Sequence, residues 1–254
     1  MTKIIMHGCS GKMGKVVCSI AADDPNCTIC AGIDPFGSSS DFTVYKTPAE
    51  CDADGDVIID FSTASAVPAL LDYAVEKQIP VVLCTTGFSD ELNEKVKEAS
   101  KKVAVLKSAN MSVGVNLLFT LVQKAALALA DSGFDIEIVE KHHNQKIDAP
   151  SGTALAIADA VNEVMENKFD YVYDRSQKRE KRTNSEIGIH AVRGGSIVGE
   201  HEVIFAGKDE IIEINHTAMS KEIFAVGAVK AAKYLAGKPA GFYTMKDVLK
   251  DILE

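Results

Sequence analysis

Apolar residues in the first 110 positions fall in short solid runs separated by stretches of helical periodicity. KIIMH (3–7), TICAGID (28–34), DVIIDF (56–61), VVLCTT (81–86) and VAVLK (103–107) read as strands buried on both faces. Between them, KMGKVVCSIAA, residues 64–77 and DELNEKVKEASKK (90–102) space their apolar positions as helices do. This alternation predicts a doubly wound parallel sheet. From about 112 the texture changes. A long apolar-periodic helix (113–130) precedes FDIEIVEKHH (134–143), whose strict alternation predicts a strand with one exposed face. A helix over 153–166 follows, then alternating strands near 187–192, 199–206 and 211–216. EIFAVGAVKAAKYLAG (222–237) and the tail DVLKDILE are assigned back to the first domain. The expected fold is α/β: a Rossmann-like sheet (1–111 and 219–254) interrupted by an inserted α+β domain (112–218) with an open mixed sheet.

Composition narrows the function classes. The chain has 254 residues, 46% hydrophobic and 25% charged, as in folded water-soluble proteins. Net charge is −9, which argues against nucleic acid or an anionic membrane as the main partner. No solid apolar run approaches the ~20 residues of a membrane span, and no leader is read at the start, so a cytoplasmic location is expected. All 6 cysteines, Cys9, Cys18, Cys27, Cys30, Cys51 and Cys84, lie in the first third, where reduced, mostly buried thiols are expected. Cys27-x-x-Cys30 lacks a second ligand pair at zinc spacing, so no metal site is assigned. The basic run RSQKREKR (175–182) reads as a solvated loop.

Gly8-Cys9-Ser10-Gly11-Lys12-Met13-Gly14 joins the first strand to the first helix. Glycines at those points let the chain turn, let backbone approach a pyrophosphate and let the helix pack on the sheet. Asp34 closes the second strand, where a carboxylate accepts hydrogen bonds from the adenosine ribose. The spacing is Gly-x-x-Gly-x-x-Gly, and the strand-loop-helix context makes a dinucleotide the favoured ligand. Asp34 followed by Pro35, Phe36 and Gly37 favours NADH, with NADPH accepted less well through Ser38, Ser39, Ser40 or Lys12.

The densest reactive segment is Glu140-Lys141-His142-His143-Asn144-Gln145-Lys146-Ile147-Asp148-Ala149-Pro150-Ser151-Gly152-Thr153. It leaves an alternating strand and enters a helix. Histidines and a lysine on such a loop suit proton donation and anion holding, and the helix start offers N–H groups to a carboxylate. A polar surface loop with a good helix cap is the alternative reading of the segment taken alone.

Several motifs occur together in one order: the glycine loop; Cys84-Thr85-Thr86-Gly87-Phe88; Ser108-Ala109-Asn110-Met111-Ser112; His142-His143-x-x-Lys146-x-Asp148-x-Pro150-Ser151-Gly152-Thr153; Arg193-Gly194-Gly195 with His201; and His216-x-Ala218. Across residues 3 to about 250 the chain resembles the 4-hydroxy-tetrahydrodipicolinate reductase (dihydrodipicolinate reductase) family. The resemblance implies that Gly8, Cys9, Ser10, Gly11, Lys12 and Met13 bind pyrophosphate and that Asp34 binds ribose. It implies that Cys84, Thr85, Thr86, Ser108, Ala109, Asn110 and Met111 line the nicotinamide end. His142 and Lys146 would be proton donors, and His143, Gly152 and Thr153 would contact a carboxylate of a cyclic dicarboxylate substrate. A homotetramer is also implied, and the alternating strands of the insert should leave an apolar sheet face in need of cover. Cys84 stands where the family usually has glycine, Met111 where it has an aromatic residue, and Lys221 where it has arginine. Two other readings stay open: another Rossmann-type dehydrogenase acting on a sugar or amino acid, and a dinucleotide sensor without turnover.

Overall fold

The structure is a computed structural model that describes residues 1–253, with side chains described through residue 250. It divides into two compact units, residues 1–113 with 222–252, and residues 114–221.

In the first unit the solid apolar runs become strands. They are β1 (Thr2–His7), β2 (Cys27–Ile33), β3 (Thr43–Tyr45), β4 (Val57–Asp60), β5 (Val81–Leu83) and β6 (Ala104–Lys107). Between them lie α1 (Lys12–Asp23), α2 (Val67–Lys77) and α3 (Asp90–Ser100). Ile4, Ile5, Ile58, Ile59, Val81, Val82 and Val105 are fully excluded from solvent, as covered parallel strands require. Ser89 accepts a hydrogen bond from Leu92 N–H and so caps α3. Residues 84–86, expected to extend β5, lie outside the strand, although Cys84 N–H still donates to the Asp60 carbonyl at 2.9 Å.

The second unit begins with α4 (Val113–Leu129), then β7 (Asp135–His142), α5 (Gly152–Val164), β8 (Asp170–Val172), β9 (Glu186–Arg193), β10 (Gly199–Ala206) and β11 (Ile211–Ala218). The chain then returns to the first unit through α6 (Glu222–Leu235), β12 (Gly241–Tyr243) and α7 (Met245–Leu253). The first sheet runs β12-β6-β5-β4-β1-β2-β3 with every pairing parallel. Its order reverses between β1 and β4, and the carboxyl ends of strands at such a switch point are where open α/β sheets hold ligands. The second sheet runs β11-β10-β7-β9-β8 and is mixed: β10 pairs antiparallel with β7 and β11, while β9 pairs parallel with β7 and β8.

Three expectations need correction. The apolar face of the second sheet is not bare. Ile136, Ile138, Ile187, Ile189, Val203 and Phe205 are buried under Leu118, Val122 and Ala126 of α4 and Ile157, Ala158 and Val161 of α5. The opposite face mixes Glu137, Lys141, His190, Glu200 and Glu202 with Val139 and Ile204, because alternation along each strand sends charge to the side the helices leave open. Second, residues 113–132 are long and apolar enough to cross a membrane by length and composition alone. Polar positions interrupt the solid run, but helical periodicity gathers its apolar ones into a stripe, part of which packs on this sheet. Third, the basic run is only partly solvated. Arg182 donates to Asp135, Glu137 and the carbonyls of Ile136 and Glu186, and Arg175 pairs with Glu186. Acidic strand residues draw these two guanidinium groups inward.

Strands β3, β8 and β12, three residues each, leave no periodic signal, whereas β5, equally short, stands in a longer apolar run.

Candidate active site

The glycine loop is built at the switch point. Gly8 has φ +80, and a Cβ there would lie 2.6 Å from the Phe61 carbonyl oxygen, while a Cβ on Gly14 would lie 2.1 Å from the Gly8 oxygen. Only glycine allows this turn and this approach. Helix α1 starts at Lys12 with no side-chain cap at Gly11, which leaves first-turn N–H groups for an anion. The Ser10 and Phe36 N–H groups donate to the two oxygens of Asp34 at 3.1 and 3.0 Å. Those bonds fix the carboxylate beside the loop and leave lone pairs for further donors. Cys84, Thr85 and Thr86 follow β5, and Ser108 to Met111 follow β6, so the predicted cofactor residues of this unit share the carboxyl edge of one sheet.

Beneath that edge lies a group the sequence reading left without a role. His7 Nδ1 donates to Asp60 Oδ1 at 2.7 Å, with 4% and 0% of the two residues exposed. The same oxygen accepts from Ser62 Oγ at 2.6 Å, and Phe61 N–H donates to the His7 carbonyl at 3.0 Å. The ends of β1 and β4, and hence the glycine loop and the 61–66 loop, are tied by one buried carboxylate. Burial, with the Asp60 charge, pushes the Cys84 thiol well above its ordinary pKa, so it stays protonated. A cavity of about 340 Å³ opens beside the loop, lined in part by Ser10, Lys15, Phe36, Ser38, Ser39 and Asp41. Ser40 Oγ donates to Asp41, and Asp41 N–H donates to Ser39 Oγ.

In the second unit β7 delivers Glu140 and His142 to the same side of the strand, two residues apart. Glu140 is fully buried. It accepts from His142 Nδ1 at 2.5 Å, from both terminal nitrogens of Arg193 at 2.8 and 2.7 Å, and from Ser151 N–H at 3.0 Å. Burial alone would raise its pKa; Arg193, His142 and Ser151 outweigh that, and the carboxyl is held below its usual range. A carboxylate only accepts, so Nδ1 of His142 carries the proton and Nε2 is turned to the Gly199 side, where a Cβ would sit 3.1 Å away. Burial lowers the His142 pKa despite Glu140, aided by the positive charges of Lys146 and Arg193.

Behind it, His201 meets His142 edge to face with ring centroids 5.3 Å apart. Burial first, then the His142 charge, depresses His201 to about 4. Ser151 caps α5 by accepting from Ala154 N–H at 3.2 Å and pairs with His201 Nε2, also at 3.2 Å. His143 lies in the loop after β7, Lys146 Nζ pairs with Asp148 at 2.8 Å, and Gly152 and Thr153 form the first turn of α5. Glu140, Arg193, Ser151 and His201 were visible as motif letters but received no role, because their burial and mutual hydrogen bonds are tertiary facts. Among the described residues no group of three or more His, Cys, Asp or Glu side chains is placed to hold a metal.

A switch-point glycine loop with its acid, and a second unit carrying a histidine held by a buried carboxylate, define a dinucleotide-binding oxidoreductase. Comparisons with known proteins give the particular family. "Dihydrodipicolinate reductase, N-terminus" matches residues 2–111 and "Dihydrodipicolinate reductase, C-terminus" matches 114–249. The chain is 54% identical over 250 residues to 4-hydroxy-tetrahydrodipicolinate reductase of Caldanaerobacter subterraneus subsp. tengcongensis, covering 98% of this chain and 99% of that protein. It is 50% identical over 252 residues to the enzyme of the same name from Clostridium novyi, with 98% and 99% covered. The chain belongs to the dihydrodipicolinate reductase family. Its fold is also that of a dipicolinate-bound dihydrodipicolinate reductase from Paenisporosarcina sp. TG-14, with TM-score 0.80, 22% identity and 96% and 97% of the chains covered. A myo-inositol dehydrogenase from Corynebacterium glutamicum shares the fold more loosely, with TM-score 0.57, 17% identity and 100% and 94% covered. The architecture is therefore common to dehydrogenases of different substrates, and the sequence relatives, not the fold, separate them.

The histidines make acid stability a test of the second unit. Between pH 6.5 and about 4 the unfolded chain binds a proton at His201 that the folded chain refuses. Stability is thus complete above about 6.5 and is lost as pH falls through that window, by up to about 3 kcal/mol from this group. Urea unfolding at about pH 7.5 and about pH 5 should show the loss, and His201→Asn should flatten it; an equally steep loss in the variant would remove His201 as its source.

Proposed function

We propose that this chain reduces 4-hydroxy-tetrahydrodipicolinate to tetrahydrodipicolinate with a reduced nicotinamide dinucleotide and one proton, the 4-hydroxyl leaving as water, in the diaminopimelate route to lysine. The observation that carries the reading is the grouping on one short segment of a carboxylate-oriented histidine, an ammonium group and a capped helix start, in a chain matched end to end by this family. A cyclic dicarboxylate needs cations and N–H groups for its carboxylates and an acid for the ring.

The residues fit a dinucleotide: the loop at Gly8 and Gly14 has no room for a Cβ, and Asp34 is pre-set by two N–H groups. Gly8, Cys9, Ser10, Gly11, Lys12 and Met13 would hold its pyrophosphate, and Asp34 its ribose hydroxyls. Cys84, Thr85, Thr86 and the 108–111 segment would frame the nicotinamide. When bound, the nicotinamide supplies the hydride.

Lys146, His143 and the Gly152 and Thr153 amides hold the substrate's carboxylates. His142 delivers a proton, with Lys146 as a second donor. Its low pKa in the free chain means that His142 starts neutral at neutral pH; a doubly anionic substrate brought close favours the imidazolium, so the donor is charged as substrate binds. Glu140 then stabilises that cation through Nδ1, which leaves Nε2 as the nitrogen that gives up the proton.

NADH is the preferred cofactor in this reading. Asp34 repels a 2′-phosphate, and the serine run expected to welcome one is engaged around Asp41, a second negative charge. The chain works in the cytoplasm as a homotetramer. The open, mixed face of the second sheet supports assembly, since interleaved charged and apolar residues suit a polar, self-complementary interface.

Oxidation of NADH with freshly generated substrate tests the reading; no oxidation above background would overturn it. Lys146→Ala should lower kcat/KM by roughly 10²–10⁴. His142→Gln should lower kcat more than it changes KM, and His143→Gln should act mainly on KM. Near-normal kcat/KM in both Lys146→Ala and His142→Gln would remove these roles. Asp34→Ser should cut kcat/KM with NADH by roughly 10- to 100-fold, the range of a lost charged hydrogen bond. The activity with NADPH should hold or rise, and an equal fall with both cofactors would count against Asp34 as discriminator. Light scattering should give the mass of four chains; a monomer at working concentration contradicts the assembly.

A further inference from the structure

Asp148 takes no part in the proposed chemistry, yet its carboxylate stands among the groups assigned to the substrate. Its Oδ1 lies 2.8 Å from Lys146 Nζ. Lys146 first, then its own N–H and, least, the Gly152 N–H at the start of α5 hold its carboxyl below the usual range against the opposing effect of burial. Its backbone is fixed: Arg193 donates to the Asp148 carbonyl at 2.6 Å while its other bonds go to Glu140 and the Val192 carbonyl. Upstream, Lys146 N–H closes a turn onto the His143 carbonyl at 3.1 Å. The Asp148 side chain itself is 56% exposed, against 23% for Lys146. A carboxylate whose main chain is clamped but whose side chain faces solvent can leave its partners without disturbing the loop.

We propose that Asp148 is an internal occupant of the substrate-carboxylate subsite, which the substrate's own carboxylate replaces on binding. The inference rests on the assignment of Lys146, Gly152 and Thr153 to that carboxylate. The exchange is one carboxylate for another, so the charge around Lys146 is preserved throughout. Until substrate arrives, the Lys146 ammonium is neither left unpaired in a partly buried position nor open to any passing anion. A ligand must offer enough further contacts to compensate for the displaced aspartate, which a cyclic dicarboxylate does and a simple monoanion does not. Asp148 in this way trades affinity for selectivity. Because the pair is half-exposed, its hold is modest, and the expected effect of removing it is roughly two- to tenfold.

The test uses the full chain saturated with NADH, with dipicolinate as the probe in calorimetric titrations. Asp148→Asn and Asp148→Ser should both bind dipicolinate roughly two- to tenfold more tightly than the wild type. KM for substrate should fall in the same direction, and inhibition by acetate, negligible in the wild type, should become measurable. Unchanged or weaker dipicolinate binding in variants that melt normally would overturn the inference and make Asp148 a fixed strut for Lys146. If neither variant folds, the wild type still decides: the carbon-13 resonance of the Asp148 carboxyl must move when dipicolinate binds, and an unmoved resonance overturns the exchange. A wild type that neither binds dipicolinate nor oxidises NADH with substrate would instead overturn the functional reading itself.

Discussion

A buried carboxylate organises the second unit. Glu140 has no exposed surface, and an ionised group in that position is tolerated only when nearly every lone pair is matched. The bidentate Arg193 supplies charge, His142 and the Ser151 N–H supply the remaining donors, and each comes from a different part of the chain. Satisfying one side chain therefore fixes the end of β9, the ring of His142 and the first turn of α5. The same residues that hold the proposed catalytic loop in place also settle the protonation of its histidine. Stability and chemistry share one cluster, so Glu140 has little freedom to change: removing any partner strands a buried charge.

The first unit also places a buried carboxylate at a strand end, with fewer partners and all of them on one oxygen. Asp60, equally buried, ties His7 at the end of β1 to Ser62 after β4. In a parallel sheet the strand ends at a switch point diverge, and side-chain bonds across that divergence decide where the loops stand. In both units a buried carboxylate holds a loop that the proposed function assigns to a ligand. The glycines shape the phosphate loop, but the His7–Asp60 pair fixes its base.

Charge also explains the selectivity the protein would show. At a net −9 the chain must hold anionic ligands by local means. In the proposed function the means are short and specific: uncapped N–H groups at the start of α1, Lys146 and the start of α5. Negative side chains stand beside them, Asp34 and Asp41 near the loop and Asp148 against Lys146. In the proposed reading, pairing each anion-binding group with a neighbouring carboxylate would discourage the wrong anion, a 2′-phosphate in one case and a monoanion in the other.

Much of this was legible in the residues. Solid apolar runs such as Ile4–Ile5 and Ile58–Ile59 specify covered parallel strands because no alternation is left to face water, and the glycine loop followed by Asp34 marks the switch point. The alternation of 135–142 set one face of β7 apart before any partner was known. The sequence by itself determined the order of the longer elements, the type of each sheet and the positions of His142, Lys146 and the loop glycines, since periodicity and turn chemistry are local properties. Tertiary structure alone decided which face of the second sheet is covered, and that Arg175 and Arg182 turn inward. It alone turned Glu140, Arg193, Ser151 and His201 into one network and set Asp148 against Lys146. Those outcomes depend on burial and on hydrogen bonds between residues up to 53 positions apart, as from Glu140 to Arg193, and no local pattern encodes which distant partner will satisfy a charge once water is excluded.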